Sequence, residues 1–163
     1  MKASQIRRSS MLMLCVLFLA VAASFASAST STGCADRSVI VDDDSNEVTL
    51  EGGNWKSSTS VRQFFGSRYV HNDNKKQGQM RAVYKPKLEQ GRYRVEVRWT
   101  DGGSRASNVP YLVKDANGFE HRTLVDQRAN GGAWKDLGVY DLDHQSRLTV
   151  STEDTDNYVI VDA

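Results

Sequence analysis

Cysteine, histidine and net charge are all in short supply in this chain. Two cysteines occur in 163 residues, Cys15 and Cys34. Cys15 lies in a segment read below as removed, so Cys34 stands alone and no internal disulfide can form. A lone cysteine in an exported chain offers an intermolecular bridge or a free thiol. The three histidines, His71, His121 and His144, are far apart. They have no ligand spacing between them, and a zinc site wants His, Cys or carboxylates grouped at short spacings. Lysine and arginine number 21 against 20 acidic residues. That balance excludes a general nucleic-acid binder, which needs a basic excess to displace counterions. Amphipathic helix periodicity is also missing, as are a nucleophile elbow, a phosphate loop and a Cys–His pairing. The chain is therefore read as not an enzyme. Paired carboxylates for glycoside cleavage stay open in the sequence, but their proximity alone would mean little, because 20 acidic residues place some of them close together in any fold.

What the chain does have begins with an export signal. Lys2, Arg7 and Arg8 form a basic start, Met11 to Ala23 an apolar run, and Ala26-Ser27-Ala28 a small-residue cleavage site. That order is the pattern of a secretory signal peptide, and the run is short for a membrane span. The expectation is a signal peptide over 1–28, a small polar leader over 29–37, and a secreted, extracellular chain with no membrane insertion. Cleavage after Ala28 removes 28 of 163 residues and leaves 135, with 18 basic against 20 acidic residues, a net charge of −2.

From residue 38 onward the pattern has period two. In the segment 92–100, Tyr93, Val95, Val97 and Trp99 alternate with Arg92, Arg94, Glu96 and Arg98, as in a strand with one face buried and one wet. Further strands are expected at 38–43, 47–51, 55–60, 67–71, 79–85, 109–114, 119–126, 134–140, 146–151 and 157–162. Glycine turns separate them, including Asn130-Gly131-Gly132 and Asn117-Gly118, where a hairpin with positive φ at both central residues is expected. Many short strands with turns between them imply one all-β domain over 38–163, a sandwich or a barrel. Gly131 and Gly132 are read as a corner, with Trp134 at the core edge and Leu137 and Val139 pointing inward. The alternative for that corner is that its backbone N–H groups and the Asn130 amide meet a ligand.

Several stretches resemble a known family. "VIVDDD" at 39–44, "GNWKSSTSVRQFFGSRYVH" at 53–71, "GRYRVEVRW" at 91–99, "NVPY" at 108–111, "NGGAWKDLG" at 130–138 and "YVIVDA" at 158–163 look like the golvesin C-terminal-like domain, also described as the carbohydrate-binding-like domain of xanthan lyases. The "NVPY" and "NGGxWxxLG" elements are the most specific. The resemblance covers nearly all of the chain after the leader. It implies an antiparallel β-sandwich of jelly-roll (galactose-binding-like) type, secreted and non-catalytic, binding polysaccharide or a cell-surface glycan. A structural, self-associating matrix protein, linked through Cys34 as a disulfide dimer, is the other reading.

Sugars stack their flat CH faces on aromatic rings and need forked polar partners for their hydroxyls. Loops supply such groups while the scaffold holds them. Residues 64–76 are the richest stretch, with Phe65, Arg68, Tyr69, His71, Asn72 and Asn74; Asp101, Arg105 and Asn108 flank a second glycine turn. These nine are the expected ligand-binding residues. The outward Arg92, Arg94 and Arg98 form a further candidate face for acidic polymers. Asp42-Asp43-Asp44 opens the domain and Asp162 closes it. Calcium takes several oxygen ligands, and Asp43, Asp44 and Asp162 would supply a structural calcium if first and last strands are neighbours. No other cofactor is expected.

Overall fold

A computed structural model describes Gln5–Arg8 and residues 38–163. Cys15, Cys34, the cleavage site and the leader lie outside the described residues. Among the described residues twelve strands run in order: β1 (Gln5–Arg8), β2 (Ser38–Val39), β3 (Val48–Glu51), β4 (Lys56–Ser58), β5 (Tyr69–His71), β6 (Arg81–Tyr84), β7 (Gly91–Val97), β8 (Val109–Lys114), β9 (Glu120–Val125), β10 (Lys135–Leu142), β11 (Arg147–Ser151) and β12 (Ile160–Val161). They form three antiparallel sheets, ordered β10-β7-β1-β2, β3-β6-β11-β8-β9 and β12-β5-β4. β1 comes from the stretch read as the basic start of the signal and pairs with β7 from Gln5–Glu96 to Arg8–Tyr93. Among the described residues no helix is long and apolar enough to cross a membrane.

The core is the alternation of β7 made physical. Tyr93, Val95, Val97 and Trp99 are all buried. Val95 and Leu142 of the first sheet face Tyr84, Val113 and Leu148 of the second across one small apolar space, the interdigitation that defines a sandwich. Pro110 sits inside β8 at no cost to the β11 ladder, which begins one residue later at Tyr111–Val150.

Two local expectations need correcting. At Asn117-Gly118 only Gly118 has positive φ, at 84°. The hairpin is instead capped by Asp115, whose Oδ1 accepts the N–H groups of Asn117 (2.9 Å) and Phe119 (3.0 Å). A side chain thus supplies the turn that a second left-handed residue would otherwise make. In β10, pairing to β7 shifts register between Asp136 and Gly138. That bulge reverses the alternation beyond Leu137, so Tyr140 and not Val139 packs against the core.

The short closing strand β12 is completed by a side chain. Gln127, fully buried, donates from Nε2 to Ile160 O at 2.8 Å and to Tyr111 Oη at 2.9 Å, and its Oε1 accepts Ile160 N–H at 2.8 Å. Its amide plays the part of a peptide group in a neighbouring strand, leaving no buried backbone group of Ile160 unpaired.

Candidate functional site

The three-stranded sheet positions the site. Lys56 pairs with His71, Ser58 with Tyr69, and Ile160 with His71. Residues opposite one another, or two apart, share a face. One face therefore gathers Lys56, Ser58, Tyr69 and His71, and Tyr158 joins them two residues before Ile160. The His71 ring lies 5.6 Å from that of Tyr158, edge-on, and 6.2 Å from that of Tyr69. Arg105, held beside Tyr158 by an isolated parallel bridge, places its guanidinium 5.8 Å from the Tyr69 ring centre and donates to Tyr69 Oη at 3.4 Å. Ser60 Oγ lies 2.9 Å from the same oxygen.

Electrostatics follows from this packing. Burial holds the His71 imidazole below its ordinary range, and the Arg105 and Lys56 cations push it the same way against Asp73. His71 Nδ1 accepts the Asp73 N–H at 3.1 Å, which suits a neutral ring. Burial raises the Tyr69 hydroxyl, but hydrogen bonds with Ser58 and Ser60 and the Arg105 charge bring it below its usual value. Tyr69 is only 2% exposed, so its role is to hold Arg105. The partly exposed groups are His71, Arg105 and Tyr158.

The remaining expected residues have other tasks. Phe65 is half-buried, with the Trp134 ring 5.9 Å away and the Arg98 guanidinium 6.0 Å from its centre. This makes a second ring-and-arginine pair from residues on three separate segments. Arg68 is held by Asp43 at 3.1 Å. Asn72 is buried, and its Oδ1 accepts N–H groups from Asn74 (3.2 Å) and Val159 (2.9 Å), so it is structural. Asn74 is exposed and accepts from Gln77. Asp101 accepts the Gly131 N–H at 2.8 Å, and Asn108 donates to Asp154 O at 2.7 Å. Both brace loops. Of the outward arginines, Arg94 pairs with Asp136 and Arg98 donates to Gln63 O, so they do not form a free cationic row.

The Asn130-Gly131-Gly132 corner is structural. Gly131 N–H is taken by Asp101 and Gly132 N–H by Trp99 O at 2.9 Å. A Cβ on Gly131 would run into the Asp101 backbone nitrogen. These N–H groups are not available to a ligand.

The carboxylates at the domain's two ends do come within electrostatic reach of one another, although β2 and β12 belong to different sheets. Asp43 Oδ2 faces the Arg68 cation, Asp44 is exposed beside Ser67, and Asp162 accepts the Phe65 N–H at 3.0 and 3.3 Å. Among the described residues no three His, Cys, Asp or Glu side chains are grouped to hold a metal ion. The Arg68 guanidinium takes Asp43 Oδ2, one of the oxygens the expected calcium set would use. Asp42 Oδ2 and Asp43 Oδ1 are buried without a hydrogen-bond partner. Burial is the main reason that Asp42, Asp43 and Asp162 are raised, to about 7, about 6 and about 8.

Beside the aromatic face lies a groove of about 220 Å³ lined by Asn54, Lys56, Asn72, Asp73, Lys75, Lys76 and Met80. Sequence reasoning missed Tyr158, Lys56 and Lys76. An aromatic in the polar turn 154–158 was the one available signal for Tyr158. The lysines are unremarkable until β4 and the 72–78 loop meet.

The Golvesin C-terminal domain model matches residues 39–163. Xanthan lyase of Bacillus sp. (strain GL1) is 33% identical over 132 residues, covering 77% of this chain and 14% of the relative. The solved structure of Paenibacillus xanthan lyase superposes with a TM-score of 0.71 at 28% identity, over 78% of this chain and 13% of that one. The chain thus spans about one seventh of the length of the relatives it matches.

Proposed function

Because the chain belongs to the Golvesin C-terminal domain family, we propose that it is an extracellular, non-catalytic module that binds polysaccharide or a cell-surface glycan. The observation that carries this reading is the half-buried group of Tyr158, His71 and Arg105 beside the three-stranded sheet. Tyr158 and neutral His71 offer ring surface for the CH faces of a sugar. Arg105, steadied by Tyr69, keeps further guanidinium donors for hydroxyls. Kinship to xanthan lyases, whose name denotes action on a polysaccharide, points the same way.

The test is affinity electrophoresis against a panel of polysaccharides. Tyr158→Ala and Arg105→Gln should each weaken binding to the best ligand by about tenfold, the scale of one lost ring or forked contact, with unchanged circular dichroism. Full retardation of both folded variants would move the site elsewhere, first to Phe65, Trp134 and Arg98.

Export is part of the proposal. It rests on the basic start, apolar run and Ala26-Ser27-Ala28 site. Mass spectrometry of the protein from culture medium should find Ser29 at the N-terminus. Recovery only as a cell-bound chain with Met1 intact would overturn it. Cleavage there would remove β1 and leave the adjoining edge of β7 without that partner.

A further inference from the structure

The groove beside the aromatic face is cationic, and its chemistry specifies the ligand further. Lys56, Lys75 and Lys76 line it, and Asp73 is the one acidic residue among its lining groups. Asp73 is bound to Lys75 at 2.6 Å. Among the described residues Lys56 and Lys76 have no ion-pair partner. Arg105 adds charge from the neighbouring cluster, close enough to act with Lys56 on His71. Three lysines and one carboxylate thus line the groove, with Arg105 in the neighbouring cluster, on a chain whose balance after the expected cleavage is −2.

The groove is built at some cost. Asp73, Asn74 and Lys76 all have left-handed backbones, with φ of 56°, 49° and 53°. Asp and Asn tolerate this conformation, but for a lysine it is strained. The strain is held by Asn72, which binds Asn74 N–H and Lys75 O, and by Gln77 on Asn74. Strained backbone fixed by a buried side chain is characteristic of ligand clamps. On this loop Lys75 and Lys76 line the same groove as Lys56. Gly53 leaves room for the Lys76 stem, since a Cβ there would lie 3.2 Å from Lys76 Cδ.

Resting on the glycan-binding reading above, we propose that this groove is a subsite for a carboxylate-bearing sugar unit of an acidic polysaccharide. The adjoining sugar ring would lie toward Tyr158 and His71. Lysine ammonium groups act as point charges and suit a carboxylate that can rotate on its sugar. A neutral glycan would gain nothing from Lys56 and Lys76.

The experiment compares polygalacturonate with uncharged dextran by titration at low salt. Wild-type protein is measured beside a Lys56→Gln/Lys76→Gln variant and a Lys85→Gln/Lys87→Gln control, which removes the same charge at exposed positions elsewhere. Polygalacturonate should bind and dextran should not. The groove variant should weaken Kd by about tenfold, while the control stays within about twofold. Equal weakening in both variants would overturn the inference, since that is bulk charge attraction alone. Binding of dextran as tight as polygalacturonate, unchanged in the groove variant, would overturn it and leave the glycan reading standing. Absence of binding to every polysaccharide in the wider panel would remove both.

Discussion

Trp99→Ala should lower the stability of the folded domain by about 3–5 kcal/mol, the range for removing a large aromatic from a core that cannot collapse into the space. Trp99 is 1% exposed and belongs to the central apolar cluster. It also lies two residues past the end of β7, where its backbone oxygen receives the Gly132 N–H of the sandwich corner. The indole N–H has no partner in its buried site, so Trp99→Phe should cost clearly less than Trp99→Ala. It gives up ring area but also removes an unpaired donor. Urea unfolding followed by circular dichroism measures both. A loss below about 1 kcal/mol for the alanine variant would mean the ring is not held in the core.

Stability should fall as pH rises from 5 to 8.5, against the usual trend for surface carboxylates. Asp42, Asp43 and Asp162 sit with little or no solvent exposure, and burial raises them from 3.8 to about 7, 6 and 8. Asp42 and Asp43 also raise Asp162, while Arg98 and the Phe65 N–H oppose the shift; Arg68 opposes it at Asp43. A group that holds its proton more tightly folded than unfolded stabilises the fold fully below its unfolded value. That stability is lost as pH climbs through the folded one. The window is therefore pH 4 to 8. Carboxylates lowered by exposed partners, such as Asp126 at about 2, act below it. For Asp162 the displacement corresponds to a loss on the order of 5 kcal/mol by pH 9. Asp162→Asn keeps an oxygen for the Phe65 N–H and carries no charge. It should recover much of that loss at pH 8.5 and change little at pH 5. Urea midpoints in the presence of a chelator, so that no cation stands in for the proton, give the answer. A wild-type midpoint that is flat or rises across this range would refute it.

The most specific family elements turn out to be architectural, which bears on where function can be sought. In "NVPY", Val109 and Tyr111 are buried and Asn108 ties down the 154–156 loop through Asp154 O and Asp156 N–H. In "NGGAWKDLG", Gly131 fits against Asp101, and Gly138, at φ 130°, sits at the bulge where a Cβ would press on the Tyr140 hydroxyl. These residues make a sandwich corner and a bulge. The candidate contacts lie instead on Tyr158, Arg105 and the 72–78 loop.

Period-two alternation sufficed by itself to place a strand in each of the eleven intervals expected between 38 and 162, and to assign the buried face of β7. Alternation is a local consequence of pleating, so it is written along the chain. Where one extra residue enters β10 the same logic failed at Val139, because a bulge is defined by the partner strand and not by the residues beside it. Tertiary structure alone decided the site. Tyr69 and Asn72 looked like loop ligands but were drawn inside, because neighbouring strands needed a ring and a backbone cap there. Lys56, Lys76, Arg105 and Tyr158, scattered over about a hundred residues, became neighbours only when β4, β5 and β12 closed into one sheet. No local pattern encodes that meeting, since it depends on which distant strands satisfy one another's backbone hydrogen bonds.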